Sequence, residues 1–230
     1  MARNGLSVGA EGPISQDFKF DSPAPTPVFH DLDIYDCRGQ KLLAFTVDNV
    51  LSEDECQRLI DATEARGYAQ ALVNVGFGRQ ELMDDVRKSD RFMSDDKDFA
   101  KSLLDRLTGG ELFPNSFKKH DVVCLNERLR FLRYYKGGFF AHHHDGCYIR
   151  PDGSERSYVT LQLYLNTPAK GGATTFFSVY TKDGKPIEKI AVNPRPGKVL
   201  IFQHNILHEG SLLEEGVKYA MRTDIMYKNK

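Results

Sequence analysis

The residues best able to do chemistry in this chain are three adjacent histidines followed by an aspartate, at positions 142–145. On a β-strand alternate residues share a face, so His143 and Asp145 would point the same way and His144 the opposite way. An imidazole and a carboxylate placed like this can bind one metal ion from one side. His204 and His208, much later in the chain, are candidates for a third ligand. Two histidines and one carboxylate leave three coordination positions open, which is the facial arrangement of non-haem Fe(II) sites that activate O2.

A basic face on the last predicted strand could serve such a metal. Over residues 217–227 one face carries Lys218, Ala220, Arg222 and Asp224. Basic side chains that face the inside of a barrel are costly unless an anion meets them. Lys218 lies ten residues beyond His208, so a dicarboxylate that chelates the metal at one end could reach its ammonium with the other. The alternative is a structural network in which Lys218 and Arg222 pair with Asp224 or another acid.

Thr160 and Tyr164 could add hydroxyl groups to this anion site. Both lie on the polar face of a strand predicted over residues 158–166. The other face of that strand is apolar and consists of Val159, Leu161, Leu163 and Leu165. Such alternation is typical of a strand that is buried on one side.

Two amphipathic helices precede the strands. Ser52 can cap the first helix, and Glu55 stands three residues on, which completes a capping box. Inward positions of this helix then follow at helical spacing, at Cys56, Leu59, Ile60 and Thr63, and Gly67 suits its end. The second helix is predicted over residues 97–107, followed by Gly109 and Gly110. Its inward face consists of Phe99, Ala100, Leu103, Leu104 and Leu107.

Short strands dominate the C-terminal half. Period-two patterns predict strands over residues 128–135, 158–166, 174–180, 198–203 and 217–227. Turn signals lie at residues 182–184 and 194–197. Strands spaced by turns, with helices ahead of them, favour a mainly β fold, a sandwich or barrel braced by N-terminal helices.

The chain divides into a tail and one domain. Residues 1–30 contain glycine, serine and alternate prolines, which favour an extended backbone, and we expect a flexible tail there. Residues 31–230 form the predicted domain. Within it, residues 70–96 are predicted to be a long loop with short strands. The charged run Arg87–Arg91 in that loop is expected to be a solvated surface, and a substrate-side arginine is the alternative.

Length and composition limit the classes of function that the chain could have. The chain has 230 residues, enough for one domain with a sizeable core. Lys and Arg number 31 against 32 Asp and Glu, and this balance argues against nucleic acid as a partner. No apolar run reaches the roughly 20 residues of a membrane helix, and no signal peptide is evident. Four well-separated cysteines indicate free thiols in a reducing compartment, so we expect a cytoplasmic or nuclear protein.

Residues 134–145, YYKGGFFAHHHD, resemble the YxxGxxFxxHxD signature of the prolyl 4-hydroxylase-like 2-oxoglutarate/Fe(II) oxygenases. Further segments match that family in the same order, at residues 160–166, residues 171–176, His208 and residues 216–218. Each of these motifs is weak by itself, and their common order makes the resemblance specific. The similarity covers roughly residues 45–228.

The resemblance implies a double-stranded β-helix, a jelly-roll barrel with helices packed on its major sheet. It implies that His143, Asp145 and His208 bind iron. His208 is preferred to His204 because only His208 has a lysine at the family distance. By the same resemblance, Lys218 binds the distal carboxylate of 2-oxoglutarate with help from Tyr164. Further cosubstrate residues are Tyr134, which lines the pocket, Thr160, which adds a hydroxyl, and Arg222, which is a second possible anchor.

The activity implied is that of a 2-oxoglutarate- and Fe(II)-dependent dioxygenase. Such an enzyme uses O2, with ascorbate as a possible reductant, and converts 2-oxoglutarate to succinate and CO2 while it hydroxylates an unactivated C–H bond. The substrate would be a protein or peptide side chain or a small molecule, and the enzyme a monomer or weak homodimer. The alternative is a jelly-roll metal-binding or sensor protein that does not use 2-oxoglutarate.

Several residues are candidate contacts for the substrate. They lie on the loop after the aspartate, on the strand over residues 128–135 and in the charged run, and include Cys147, Tyr148, Arg150, Arg128 and Arg130. Several arginines near the site would hint at an acidic or carboxylated substrate.

Overall fold

The computed structural model describes residues 12–76, 79–108, 113 and 115–229. In these residues two α-helices accompany many short strands. The helices are α1 (Glu53–Arg66) and α2 (Lys97–Leu107), and a short 3-10 helix covers Ile14–Gln16. The strands are β1 (Val28–Asp31), β2 (Ala44–Asp48), β3 (Ala69–Gln70), β4 (Val73–Gly76), β5 (Arg79–Glu81), β6 (Arg87–Lys88), β7 (Asp90–Asp95), β8 (Ser116–Phe117), β9 (His120–Leu125), β10 (Arg128–Tyr135), β11 (Phe139–His143), β12 (Glu155–Tyr164), β13 (Lys170–Gly171), β14 (Thr174–Phe176), β15 (Val179–Tyr180), β16 (Pro186–Ile187), β17 (Ile190–Val192), β18 (Val199–Gln203), β19 (His208–Gly210), β20 (Leu213–Glu215) and β21 (Val217–Lys228).

Both helices begin at side-chain caps. The Ser52 hydroxyl accepts from the Glu55 backbone N–H while the Glu55 carboxylate accepts from the Ser52 N–H, so the predicted capping box is confirmed. Asp96 caps α2 by accepting from the Phe99 N–H at 2.9 Å. The bounds of α2 are those predicted, and Gly109 and Gly110 lie outside the described residues. No helix in the described part of the chain is long and apolar enough to cross a membrane.

A large antiparallel sheet carries most of the strands. Its strands lie in the order β1-β2-β18-β12-β21-β10-β7-β3, and β9 also pairs with β21. The central strand is β21, which pairs with both β12 and β10. We refer to this sheet as the major sheet.

A second sheet of five strands faces it and is called the minor sheet. Its order is β17-β14-β19-β11-β6. Two antiparallel sheets that enclose a common interior form the double-stranded β-helix, so the predicted fold class is confirmed.

Two layers of apolar side chains hold these parts together. The first lies between the helices and the major sheet, where Leu59 and Leu103 pack in one cluster with Leu161 and Met221. The second lies between the sheets and includes Tyr164, Phe176 and Phe202. Side chains alternate along a strand, so one face of β12 and β21 packs against the helices. The other face of these two strands points into the interior of the barrel.

Part of the N-terminal segment is packed on the domain. Ile14 and Phe18 are buried, and the Phe18 ring lies 5.7 Å from that of Phe99 on α2. The buried Arg66 guanidinium also binds the carbonyl of Gly12 at 2.6 Å. This corrects the expectation of a flexible tail for residues 14–18, because apolar residues there complete the first core. Residues 1–11 lie outside the described residues, and the boundary at residue 30 stays a prediction.

Two elements differ from the sequence prediction. The strand predicted over residues 174–180 is split into β14 and β15, because Ser178 has a positive φ of 54°. The region over residues 70–96, predicted as a long loop with short strands, does contain short strands, but its six-residue strand β7 pairs with β10 in the major sheet, which was not predicted. Its polar composition hid that pairing, since only one face of β7 meets the core.

Candidate metal centre and active site

Three side chains meet on the inner side of the minor sheet. His143 on β11 and His208 on β19 stand directly opposite each other in the strand pairing. Asp145 follows the end of β11, and its two carboxylate oxygens lie 3.7 Å from the Nε2 atoms of His143 and His208, one each. One ligand atom from each of the three residues lies within 4.8 Å of the others. This separation allows all three to reach one ion.

The backbone orients both imidazoles. Nδ1 of His143 lies 2.8 Å from the Ala141 carbonyl oxygen, and Nδ1 of His208 lies 2.9 Å from that of Ile206. A carbonyl oxygen only accepts, so Nδ1 carries the proton and each Nε2 presents a lone pair. Burial, together with His208, lowers the pKa of His143 to about 4, and burial lowers that of His208 as well. Both rings are therefore neutral near pH 7, as metal binding requires.

A β-bulge turns His143 into the pocket. Phe140 pairs with Gly210 and His143 pairs with His208, so three steps along β11 match two steps along β19. Without the extra residue, side chains three apart on a strand would face opposite ways. Both Phe140 and His143 line the interior instead. The prediction that one regular strand carries His143 and Asp145 is thus wrong in detail, since β11 ends at His143.

Asp145 is held in its ionised form. The Thr160 hydroxyl donates to one of its oxygens, and the Arg222 guanidinium lies 2.9 Å from the other. Burial alone would raise the pKa of the Asp145 carboxyl, but Arg222, His208 and the Thr160 hydrogen bond together place it well below the usual range. Arg222 also lies 3.3 Å from Asp224. The Arg222 charge is therefore compensated by two carboxylates.

Lys218 lies at another position on the same face of β21 and is 3% exposed. Its Nζ donates to the Gly172 carbonyl at 2.5 Å. Burial lowers the pKa of this ammonium to about 7, and no acidic side chain of the described chain offsets that effect. Gly172 has a φ of +75°, and a Cβ there would come within 3.2 Å of the Lys218 side chain, so this turn requires glycine.

Two tyrosines flank Lys218. Its Nζ lies 5.2 Å from the centre of the Tyr134 ring and 5.6 Å from that of the Tyr164 ring. The Tyr164 hydroxyl donates to the Thr174 hydroxyl at 2.7 Å, and the Gln162 amide donates to the same oxygen at 2.9 Å. Sequence reasoning placed Tyr134 and Tyr164 here but gave no role to Thr174. The sequence feature that could have indicated a role for Thr174 is its place in the matching segment at residues 171–176.

One pocket joins these groups. Its walls combine the inner faces of both sheets and are lined by Arg87, Arg130, Leu132, Tyr134, Phe140, His143, Asp145, Gln162, Thr174, His208, Glu209, Gly210, Lys218, Ala220 and Arg222. Such a pocket, with neutral imidazoles, an ionised carboxylate and a separate buried cation, can hold a divalent metal and an anionic ligand side by side.

The remaining candidate residues from the sequence lie outside the cluster of His143, Asp145 and His208. His204 is not part of the three-residue cluster, and its Nε2 lies 3.5 Å from Asp224. Arg150 forms ion pairs with Glu127 and Glu155, which gives it a structural role. Arg128 is half exposed and pairs with Asp95, while Cys147 and Tyr148 lie at the surface.

Arg87 differs from the expectation for the charged run. It is only 8% exposed and lines the pocket, so the prediction of a solvated surface is wrong for this residue. The reason is that β6 pairs with β11, which brings Arg87 opposite Phe140. All four cysteines, at positions 37, 56, 124 and 147, are free thiols, as predicted.

Comparisons with known proteins agree with this geometry. Residues 129–223 match the sequence model of the 2OG-Fe(II) oxygenase superfamily. The chain is 26% identical over 208 residues to prolyl 4-hydroxylase 2 of Arabidopsis thaliana, covering 79% of this chain and 66% of that protein. It is 25% identical over 209 residues to probable prolyl 4-hydroxylase 4 of the same plant, with the same coverage. The chain thus spans about two thirds of the length of these relatives.

Two solved structures share the fold. The 2-oxoglutarate complex of the viral collagen prolyl hydroxylase from Paramecium bursaria Chlorella virus-1 is similar with a TM-score of 0.55 and 23% identity, over 83% of this chain and 98% of that one. A prolyl hydroxylase from Trichoplax adhaerens, in complex with a hypoxia inducible factor peptide fragment, gives a TM-score of 0.57 at 14% identity, over 82% and 84% of the two chains.

Proposed function

We propose that this chain is a member of the prolyl 4-hydroxylase-like 2OG-Fe(II) oxygenases, a 2-oxoglutarate- and Fe(II)-dependent dioxygenase that hydroxylates an unactivated C–H bond. One observation carries the proposal. Two imidazoles with free Nε2 lone pairs and one ionised carboxylate converge within 4.8 Å, in the same pocket as a buried ammonium that has no acidic partner in the described chain. A metal and a dicarboxylate together satisfy every one of these groups.

His143, Asp145 and His208 hold the iron in this proposal. The set of two nitrogens and one oxygen suits Fe(II) and leaves one side of the ion free. Bound there, Fe(II) supplies the activation of O2 that is coupled to the oxidation of 2-oxoglutarate to succinate and CO2, with ascorbate as a reductant that restores Fe(II). The protein keeps both imidazoles neutral and Asp145 ionised, so that no proton has to leave before the metal binds near neutral pH.

Lys218 anchors the distal carboxylate of 2-oxoglutarate, flanked by Tyr134 and Tyr164. Arg222 is the weaker candidate for this role because Asp145 and Asp224 already compensate its charge. We assign Arg222, with Thr160, to holding the Asp145 carboxylate in place. An anion that reaches Lys218 removes the cost of a buried, uncompensated ammonium.

The substrate we propose is a protein or peptide side chain, with a small molecule as the other possibility. The similar protein from Trichoplax adhaerens is described with a bound peptide fragment, which supports testing peptides first. Fold alone does not fix the substrate, so the identity of the hydroxylated residue is open to a screen.

Succinate formation tests the proposal. Purified protein with Fe(II), ascorbate and 2-oxoglutarate should form succinate at a slow rate that a substrate then stimulates, and the Asp145→Ala variant should form none. His208→Ala should lose Fe(II) binding while circular dichroism shows the same fold. If succinate fails to form and anaerobic titration detects no binding of 2-oxoglutarate, the chain is instead a metal-binding jelly roll of another kind.

Replacing the two candidate anchors separates their roles. Lys218→Ala should raise the KM for 2-oxoglutarate much more than the Kd for Fe(II), because Lys218 lies apart from the three candidate ligands. Arg222→Ala should do the reverse, because Arg222 contacts Asp145. If only Arg222→Ala raised the KM for 2-oxoglutarate, Arg222 would be the anchor.

A further inference from the structure

Arginines are concentrated on the wall of the pocket near the candidate metal ligands. Arg130 on β10 and Arg87 on β6 line the pocket, and Arg222 lies beside Asp145. Arg91 on β7 lies close enough that Arg87 and Arg130, after burial, lower its pKa by charge repulsion. Four guanidinium groups in one region are unfavourable unless anions compensate them.

Strand register puts three of these arginines on the inner face of the major sheet. Arg130 stands directly opposite Arg222 across β10 and β21. Arg91 on β7 stands opposite Leu132, which is on the same face of β10 as Arg130. Like charges directly opposite each other on a sheet are destabilising. The pairing of Arg130 with Arg222 therefore destabilises the protein unless a negative charge lies close to both.

The acidic groups of the pocket do not supply enough counter-charge. Asp224 lies 3.4 Å from Arg130, but it is shared with Arg222 at 3.3 Å. Asp145 is a candidate metal ligand. Among the described residues that line the pocket, the acid besides Asp145 is Glu209, which accepts from the Ser211 hydroxyl and lies 3.5 Å from His142.

Arg87 and Arg91 have neutral partners in the described part of the chain. The Arg87 Nε donates to the Ser89 hydroxyl at 2.9 Å, and its guanidinium lies 4.7 Å from the centre of the Phe140 ring. Arg91 donates to the Gln80 side chain at 3.0 Å. The guanidinium of Arg87 is therefore buried next to a ring that stacks on His143, and no acidic side chain among the described residues forms an ion pair with it.

The cosubstrate cannot supply the missing charge. Arg130 stands opposite Arg222, four residues along β21 from Lys218, which is roughly 13 Å of strand. Its guanidinium lies 3.4 Å from Asp224, two residues further along β21. 2-Oxoglutarate has four carbon–carbon bonds of about 1.5 Å, so its two carboxylates are at most about 6 Å apart. A molecule anchored at Lys218 leaves Arg130 free.

We propose that the substrate carries an anionic group, a carboxylate or a phosphate, which Arg87 and Arg130 bind beside the metal centre with Arg91 next to them. This inference rests on the proposed function, since it concerns the substrate of that site. Planar guanidinium groups bind carboxylate and phosphate oxygens in pairs, which also fixes the orientation of the ligand. A neutral analogue would leave buried charges unpaired and would be rejected.

Calorimetric titration tests this with three probes. The full chain is first loaded with Mn(II) and saturating 2-oxoglutarate, so that Lys218 is occupied. N-acetyl-aspartate α-amide, the matched N-acetyl-asparagine amide and inorganic phosphate are then titrated at low ionic strength, where charge pairing is least screened. We expect the carboxylate, the phosphate or both to bind about tenfold or more tightly than the neutral amide.

Variants assign the binding to the arginines. Arg87→Gln and Arg130→Gln should each reduce the preference for the anion about tenfold, whereas Arg38→Gln, at an exposed turn outside the pocket, should keep it. Arg130→Lys retains a charge and should keep most of the preference, which provides a readout if a Gln variant does not fold.

The outcomes separate this inference from the function on which it rests. Equal binding of the acid and the amide with no binding of phosphate would overturn it, as would a preference retained in both Gln variants. Binding of the carboxylate alone or of the phosphate alone identifies the anionic group. A failure of the proposed function would be seen earlier, because 2-oxoglutarate would not bind in the loading step.

Discussion

If Lys218 anchors 2-oxoglutarate as proposed, its charge state should make the affinity for 2-oxoglutarate depend on pH. Burial lowers the pKa of its ammonium to about 7, against an ordinary value of 10.5. Only the charged form attracts a carboxylate, so the fraction of protein competent to bind falls as the pH rises through 7. Both carboxylates of 2-oxoglutarate stay ionised over this range, and the pKa of His143, about 4, lies well below it.

The size of the effect follows from the fraction of charged lysine. The apparent Kd equals the intrinsic Kd divided by the competent fraction. With a pKa of about 7, the charged fraction is about three quarters at pH 6.5 and about 3% at pH 8.5, so the apparent Kd should rise about 25-fold. A lysine with an ordinary pKa would stay charged throughout and would give no change.

Anaerobic titration of the Fe(II)-loaded protein with 2-oxoglutarate at several pH values measures this. Pyruvate is the matched control, because it keeps the chelating 2-oxo acid but lacks the carboxylate that would reach Lys218. Lys218→Arg should flatten the pH dependence, since an arginine keeps its charge. A Kd for 2-oxoglutarate that does not change across this range, or a pyruvate profile as steep as that of 2-oxoglutarate, would refute the reasoning.

Three further predictions concern single side chains. Thr160→Val removes the hydroxyl that donates to Asp145 and should weaken Fe(II) binding about tenfold in an anaerobic titration, and an unchanged affinity would contradict the role given to this contact. Phe99→Ala empties a buried position between α2 and the major sheet and should lower the free energy of unfolding by about 3–5 kcal/mol in a denaturant titration. Lys218→Met should raise the free energy of unfolding of the ligand-free protein by about 1–3 kcal/mol, because a buried ammonium is replaced by an apolar chain of similar size, and loss of stability instead would show that the ammonium is compensated.

The fold followed from local patterns in the sequence. The alternation over residues 158–166 and the capping box at Ser52 depend on neighbouring residues only, and the structure contains both. The sequence was enough to predict that His143, Asp145 and His208 lie together, because their residue types suit one metal ion and the motifs that contain them follow in the family's order. Their roles as ligands remain predictions.

The features that the sequence did not reveal depend on long-range pairing. Arg87 is buried because β6 pairs with β11, and no local pattern indicates that contact. The choice between Lys218 and Arg222 depends on where Asp145 lies relative to β21, which only the folded barrel defines. Residues 14–18 were predicted to be part of a tail because no neighbouring residues reveal their packing. Their partners lie about 80 residues away in sequence, at Ser94 and on α2.

The bulge in β11 leaves His142 one register step away from the position opposite His208 that His143 occupies. His142 now faces outward, with a half-exposed side chain 3.5 Å from Glu209. If the extra residue moved to the other side of His142, regular pairing would present His142 to His208 and turn it into the pocket. We therefore expect a His143→Ala variant to recruit His142 by this register shift and to lose Fe(II) affinity only in part. Only the double variant His142→Ala/His143→Ala removes both, and a comparison of Fe(II) affinity between the single and double variants would measure this robustness.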